Sequence, residues 1–379
     1  MSTIKVDTIR NYDSAVDFSQ GFKLGGADVI QNYTESATVP ETPTPVNGDY
    51  WWDTANNVLY RYMDGGFRAL GVVLPVTIDW GGARGFFLGG YRWGGNAENS
   101  IDYFDITSTT NAQDFGDLTV AGYNLASVGS NSRVCAGGGT GSRANVIDYI
   151  TTANTGNATD FGDLTVGVYG LSGAGNGTRG LFMGGYGSSA YQNVISYITI
   201  ANTGNAADFG DLSGGKRYGA ALGNATRAVY GGGYQGSTNS RLNTMEYVTI
   251  GSTGNVTDFG DLHGQLQSPA GCSDETRGVF VGGWNANTNA LSNTMEYITI
   301  GTTGNATDFG DLSQANTELA ATSDGVTGIV AGGYNNTIYL NDIQKFTIQT
   351  LGNASVGMQL TTGGTGGKAL GTASSGNAS

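Results

Sequence analysis

The chain of 379 residues contains one histidine, two cysteines and five prolines. The single histidine, His263, leaves no metal site that needs two imidazoles. A Ser-His-Asp triad could draw on that residue alone, and no Gly-x-Ser-x-Gly elbow accompanies it. Cys135 and Cys272 stand far apart and read as small buried hydrophobes rather than a disulfide. Charge is sparse, at 13% of residues, and lopsided: 31 acidic against 17 basic side chains give a net charge of −14. With no basic stripe, a chain this acidic repels a phosphate backbone, which excludes nucleic acid as a partner. No apolar run approaches the roughly 20 residues that span a bilayer, so no membrane insertion is expected. The opening "MSTIKVDTIRNYD" lacks the apolar core of a signal peptide, so synthesis in a cytoplasm is expected.

What is abundant is glycine, 65 residues, without the period of collagen, and aromatics at 10% argue against disorder. The phrase "TGNATDFGDL" stands at 155–164 and again at 303–312, with single changes from Thr203 and Thr253. Its Asp-Phe-Gly-Asp-Leu core begins at Asp114, Asp160, Asp208, Asp258 and Asp308, spacings of 46, 48, 50 and 50, and a degraded sixth copy ends at Leu360. Ahead of each copy come an apolar run ending in paired glycines, such as "RGLFMGG", and a β-branched, aromatic run, such as "VISYITI". A further run precedes each arginine, as in "YGAALGN". Four strands in a unit of about 48 residues is one propeller blade, and no 3.6-residue apolar period suggests helices. The reading is an all-β, six-bladed β-propeller over residues 76–379. Its paired glycines suit a crowded axis, where backbones approach closely. Its C-terminal strand, about Lys368 to Ser374, completes blade one and removes exposed sheet edges.

The paired glycines and a following aromatic resemble kelch-type propellers, without the kelch tryptophan, so this likeness is one of architecture. The phrase "TGNATDFGDL" more closely resembles repeats of virion and tail-fibre proteins of marine bacteriophages. Residues 1–35, with "STIKVDTI" and "VDFSQGFKLGGADVI", look like the segments that attach phage fibre proteins to the particle. Residues 36–48, "SATVPETPTPVNG", read as a Pro-rich extended linker. Residues 49–75 read as a small module of three strands at 50–53, 58–63 and 67–70, similar to "GD-WWDT…LY-Y-DG-F" hairpins of phage fibres. These resemblances imply a virion protein assembled in the host cytoplasm. They also imply attachment to other virion proteins through the N-terminal segment and, as in many phage fibres, a homotrimer, although no heptad run supports one.

No enzyme is expected. A galactose-oxidase-like copper site needs two histidines, and no sialidase-like Asp box is found. No cofactor is implied. The repeated aspartates, such as Asp160 with Asp163, could be imagined as calcium ligands, but beside a Thr-Gly-Asn turn they are expected to cap backbone amides instead, so no metal is assigned. In an antiparallel blade the first and third connections share one face, and the second connection and the inter-blade link share the other. The first set is monotonous ("NGTR", "NATR"), whereas the second varies ("YRWGGNAENS", "TGSRAN", "YQGSTNSRLN"). Tyr91, Tyr186, Tyr234, Trp284 and Tyr334 recur directly after the glycines and are expected to pack between blades. Arg92, Trp93, Arg143, Tyr191, Arg241 and Tyr339 lie deeper in their loops and are the candidate contacts for a host-surface glycan or protein, since rings give rigid area beside adaptable Asn and Ser. The alternative is capsid or tail decoration without receptor binding.

Overall fold

The computed structural model describes residues 84–92 and 95–361. It adds the backbone of strands Phe22–Leu24, Ala27–Ile30, Tyr33–Ser36, Tyr50–Asp53, Val58–Met63, Gly66–Val73, Lys368–Ala369 and Thr372–Gly376. The chain divides into two compact units, 1–77 with 379, and 78–378.

In the first unit, Phe22–Leu24 pairs antiparallel with Ala27–Ile30. A four-stranded sheet follows in the order Tyr33–Ser36, Tyr50–Asp53, Val58–Met63, Gly66–Val73. The third expected strand is therefore longer than 67–70, and Tyr33–Ser36 adds a neighbour. That neighbour is parallel to Tyr50–Asp53, an arrangement that a tight turn cannot connect. The linker expected at 36–48 falls, beyond Ser36, outside the described residues, as does most of the expected attachment segment at 1–35.

The second unit is an all-β propeller of six antiparallel sheets. Blade three is representative. Its strands Ser172–Gly175, Arg179–Met183, Val194–Thr199 and Ala207–Asp211 run outward in chain order. Blades two, four, five and six begin with Ala126–Gly129, Ala220–Gly223, Ala270–Ser273 and Ala320–Ser323. Blade one uses both ends of the unit. Thr372–Gly376 pairs with Arg84–Leu88, the inner part of strand Arg84–Arg92, and Asn96–Asp105 and Gln113–Asp117 follow. The closing strand thus sits further along the chain than 368–374. Lys368–Ala369 is a separate short pairing with Arg92 and Tyr91, at the register that Lys216–Arg217 holds in blade four. The six first strands neighbour one another in a closed cycle.

Six apolar clusters hold the ring, one at each junction between blades. Each blade is covered on both faces, which is why runs such as Arg179–Met183 carry no alternation and are buried from Gly180 onward. The junction of blades six and one is filled like the others, by Phe87, Phe104, Ile106, Ile329, Ile343 and Met358.

The repeated phrase is the third turn and the fourth strand, and its turn latches each blade to the one before. Gly156 donates its amide to Phe115 O (2.8 Å), and Asn157 Oδ1 accepts from the Asp117 amide at 3.0 Å. Asn205, Asn255, Asn305 and Asn353 repeat this bond to Asp163, Asp211, Asp261 and Asp311, each at 3.0 Å. Asn111 closes the ring on the Gln359 amide at 3.1 Å. The capping side chain is therefore the asparagine, and the aspartate supplies its amide. That differs from the expectation that Asp would cap, because the turn of one blade faces the strand of its predecessor. The glycine of this strand is obligatory: at Gly162, φ is +144° and a Cβ would stand 2.5 Å from the Gly204 carbonyl carbon.

A second latch uses the arginine that opens each second strand. Arg84, Arg133, Arg179, Arg227 and Arg277 donate to the carbonyls of Thr152, Ile200, Ile250, Ile300 and Ile348 in the next blade, at 2.7–3.1 Å. Each guanidinium also covers a tyrosine of its own third strand, 4.3–4.9 Å from the ring centre. Blade six departs from this pattern. Thr327 replaces the arginine and Lys345 the tyrosine, and Lys345 Nζ reaches the equivalent carbonyl, Ile106 O, at 2.5 Å. The cation has moved one strand across, and the bond between blades is kept.

Candidate functional site

The paired glycines turn the chain out of each second strand and seat the following loop on the inter-blade link. Gly90, Gly139, Gly185, Gly233 and Gly283 donate their amides to carbonyls of Gly122, Val168, Lys216, Leu266 and Asn316, at 2.8–2.9 Å. Both glycines of all six pairs have positive φ, and a Cβ on Gly184 would lie 2.6 Å from Lys216 O. Their work is thus at the link, one strand out from the axis, rather than at a crowded axis as expected. Second loops and links accordingly share one face, and the latches lie on the other.

On the loop face, the links end in a collar around the axis. Asn124, Gly170, Tyr218, Ser268 and Glu318 occupy equivalent positions with left-handed φ of 53–70°. Their amides pass hydrogen bonds around the ring: Gly170 to Asn124 O, Tyr218 to Gly170 O, Ser268 to Tyr218 O and Glu318 to Ser268 O, at 2.8, 2.8, 2.7 and 3.3 Å. By register, the sixth position falls at residue 370, outside the described residues. Glycine takes this backbone freely, whereas Tyr218 and Glu318 hold it at a cost of about 1 kcal/mol or more. Beneath the collar lies a cavity of about 120 Å³, walled by small residues of the first strands, among them Ser127, Gly173, Ala221 and Gly271. That is room for several waters or a small ligand group. Of the described residues lining it, Glu318 alone carries a carboxylate. Burial raises the Glu318 pKa above its ordinary 4.5. Burial is also the main cause lifting Tyr218 to about 12.

Two nests of tyrosine rings flank the collar. In the first, the guanidinium of Arg217 lies 4.6–5.5 Å from the ring centres of Tyr169, Tyr186, Tyr191 and Tyr218. It also donates to Tyr169 Oη at 2.8 Å. In the second, Tyr91 meets Tyr123 at 4.9 Å and Tyr339 at 6.0 Å, and Tyr339 meets Tyr334 at 5.2 Å, all edge to face. The nests are joined by Asn124, whose Nδ2 donates to Tyr218 Oη at 3.4 Å.

The structure separates the six candidate contacts. Arg143 is fully buried: it is ion-paired with buried Asp148 and donates to Ala136 O at 2.8 Å, so it cannot meet a partner. It sits in a short 3₁₀ turn, Gly141–Arg143, that folds it back under the loop. Arg92 is bound to Glu98 at 3.0 Å, Arg241 is half-buried with its guanidinium 6.0 Å from the Tyr234 ring centre, and Trp93 lies outside the described residues. Tyr191 and Tyr339 belong to the two nests, one each. Of the aromatics directly after the glycines, Tyr186, Tyr234, Trp284 and Tyr334 are half-buried and bridge to the links. His263 is exposed, and its amide donates to Glu296 at 2.9 Å. The two cysteines are buried and free, with thiols pushed up to about 12 by burial. Among the described residues, no three His, Cys, Asp or Glu side chains gather as metal ligands would.

The residues that sequence reading missed are Arg217, Tyr218, Tyr123, Tyr169 and Glu318. They lie in links that resemble the start of first strands. The available signal was their failure to repeat: Asn, Gly, Tyr, Ser and Glu succeed one another at one position of the unit. No family model and no curated protein matches the chain.

Proposed function

We propose that this chain is a phage virion protein, a tail fibre or adhesin whose propeller presents its loop face to a host-surface glycan or protein, with its N-terminal segment attached to other virion proteins. The supporting observation is the division of labour between the two faces. One face repeats the same latches in every blade, while the other varies from blade to blade and concentrates the tyrosines. Within one chain, such variation is tolerated in the loops beyond the repeated bonds that seat each of them on its link. A non-enzymatic role suits an axial cavity with a single carboxylate among its described lining residues, since glycoside hydrolysis ordinarily needs a pair. The loop tips at 188–190, 237–240, 287–290 and 336–338 are exposed, including Ile338 at 53%.

The test is adsorption of whole virions to host cells with the purified full chain in excess. Blocking is expected, and a chain carrying Tyr191→Ala and Tyr339→Ala should block less. Unchanged adsorption at saturating chain would leave structural decoration of the capsid or tail as the better reading.

A further inference from the structure

On the loop face, each of blades three to six carries a row of three residues paired across antiparallel backbone: one in the link, one directly after the glycines and one deeper in the loop. The rows are Tyr169, Tyr186 and Tyr191 in blade three, Gln267, Trp284 and Leu291 in blade five, and Thr317, Tyr334 and Tyr339 in blade six. Blade four has Arg217, Tyr234 and Arg241. Residues directly opposite one another in antiparallel strands share a face. Both arginines therefore stand on the same side of the sheet as Tyr234, their backbones about 10 Å apart across two strand spacings.

Among the described residues, every other arginine and lysine reaches a carboxylate or a backbone carbonyl. Arg217 donates only to Tyr169 Oη, at 2.8 Å, and Arg241 has no described acceptor and lies by the Tyr234 ring. Two like charges on one face of a sheet repel, and a half-buried guanidinium short of acceptors costs free energy. Neither cation is needed to build the row, since blade five forms the same pairing with Gln267 and Leu291. The surroundings hold the pair in place. Four rings stand around the Arg217 guanidinium, and one of them, Tyr191, also packs on Tyr234 with ring centres 5.7 Å apart. Tyr191 is itself fixed over Gly236, where a Cβ would stand 2.0 Å from its Cδ2. A guanidinium held this way offers a planar fork of N–H groups that matches a carboxylate.

We propose that the row of Arg217, Tyr234 and Arg241 binds an acidic saccharide, each guanidinium taking a carboxylate from a different sugar of the chain. The inference deepens the receptor reading and rests on it for the source of the ligand, a uronic-acid polysaccharide of the host surface. The net charge of −14 repels anions at a distance, so the affinity comes from contact at the two guanidiniums. A single sugar is therefore held weakly, and an oligomer that engages both cations at once is held more tightly.

The experiment is titration of the purified full chain with trigalacturonate, with maltotriose as a neutral trisaccharide and with triglutamate as a carboxylate ligand that is no sugar, followed by calorimetry and saturation-transfer NMR. Trigalacturonate should bind in the millimolar range or tighter, and the other two at least about tenfold more weakly. Arg217→Gln and Arg241→Leu, which copy the residues of blade five, should each weaken trigalacturonate by about tenfold while keeping the thermal melt of the parent. If one of the two fails to fold, the other, at the opposite end of the row, carries the comparison. No binding of trigalacturonate, equal binding of maltotriose or triglutamate, or binding undiminished by the substitutions would each overturn the proposal. Virion adsorption separates this outcome from the receptor reading. A chain that blocks adsorption without binding trigalacturonate overturns the saccharide assignment alone, whereas one that binds trigalacturonate without blocking upholds this site and counts against the receptor reading.

Discussion

At the scale of single residues, the most informative groups are those that break the repeat. Arg143 and Lys216 are cations taken inside, each neutralised by a carboxylate at the same place in the third strand, Asp148 and Glu246. Ser196 and Gln344 hold that place in blades three and six, whereas Asp102 and Glu296, buried there in blades one and five, accept hydrogen bonds from the Thr361 hydroxyl and the His263 amide. Among the described residues Glu318 has no such partner, and its pH behaviour follows. Its folded pKa is raised, so the folded state holds the proton more tightly. Its contribution to stability is present below the ordinary 4.5 and is lost as pH rises through the folded value. Glu318→Gln should therefore melt no lower than the parent at pH 7.5 and show a smaller fall in melting temperature between pH 4.5 and 7.5. A variant that melts well below the parent at pH 7.5 would mean the carboxylate has a structural partner.

At the scale of the strand, the latch between blades tolerates a change of residues but not of bonds. In blade six, Lys345 delivers from the third strand the cation that Arg179 delivers in blade three from the second, and Thr327 leaves the vacated space small. The pair Thr327→Arg with Lys345→Tyr rebuilds the ordinary latch. It should unfold in urea within about 1 kcal/mol of the parent, whereas Lys345→Tyr alone should lose about 1–3 kcal/mol, the value of a charged hydrogen bond. Additive losses would mean the two positions do not exchange one function. This coupling was legible in the unit alignment as a simultaneous loss of Arg and Tyr. Its purpose was not, because the acceptor, Ile106 O, is 239 residues away in the chain.

At the scale of the whole molecule, stability rests on closure. Blade one takes its innermost strand from Thr372–Gly376, and the cluster between blades six and one is as apolar as the others. A chain ending at residue 370 keeps the other first strands but exposes the edge of Arg84–Arg92, and an open edge pairs with other chains. It should elute from size exclusion as aggregates and melt over a broader range than the full chain. A monodisperse product with an unchanged melt would show that the ring does not depend on that strand.

Strand order, blade number and the closing role of the C-terminal run could all be read from the repeat, because each copy carries the same short-range instructions: glycines where the chain turns and β-branched runs where it pairs. The buried fate of the cysteines and the exposure of His263 were likewise readable from composition and context. The mouth was not. Asn124, Gly170, Tyr218, Ser268 and Glu318 lie about 50 residues apart and meet only because the ring folds back on itself, bringing links onto one axis. Nor could sequence distinguish Arg143 from Arg241, two arginines in equivalent variable loops. A 3₁₀ turn buries the first against Asp148, while the second stays half-buried beside Tyr234. Periodic bonds leave a periodic trace in the sequence. A site made once, where six copies converge, leaves only an interruption of that trace.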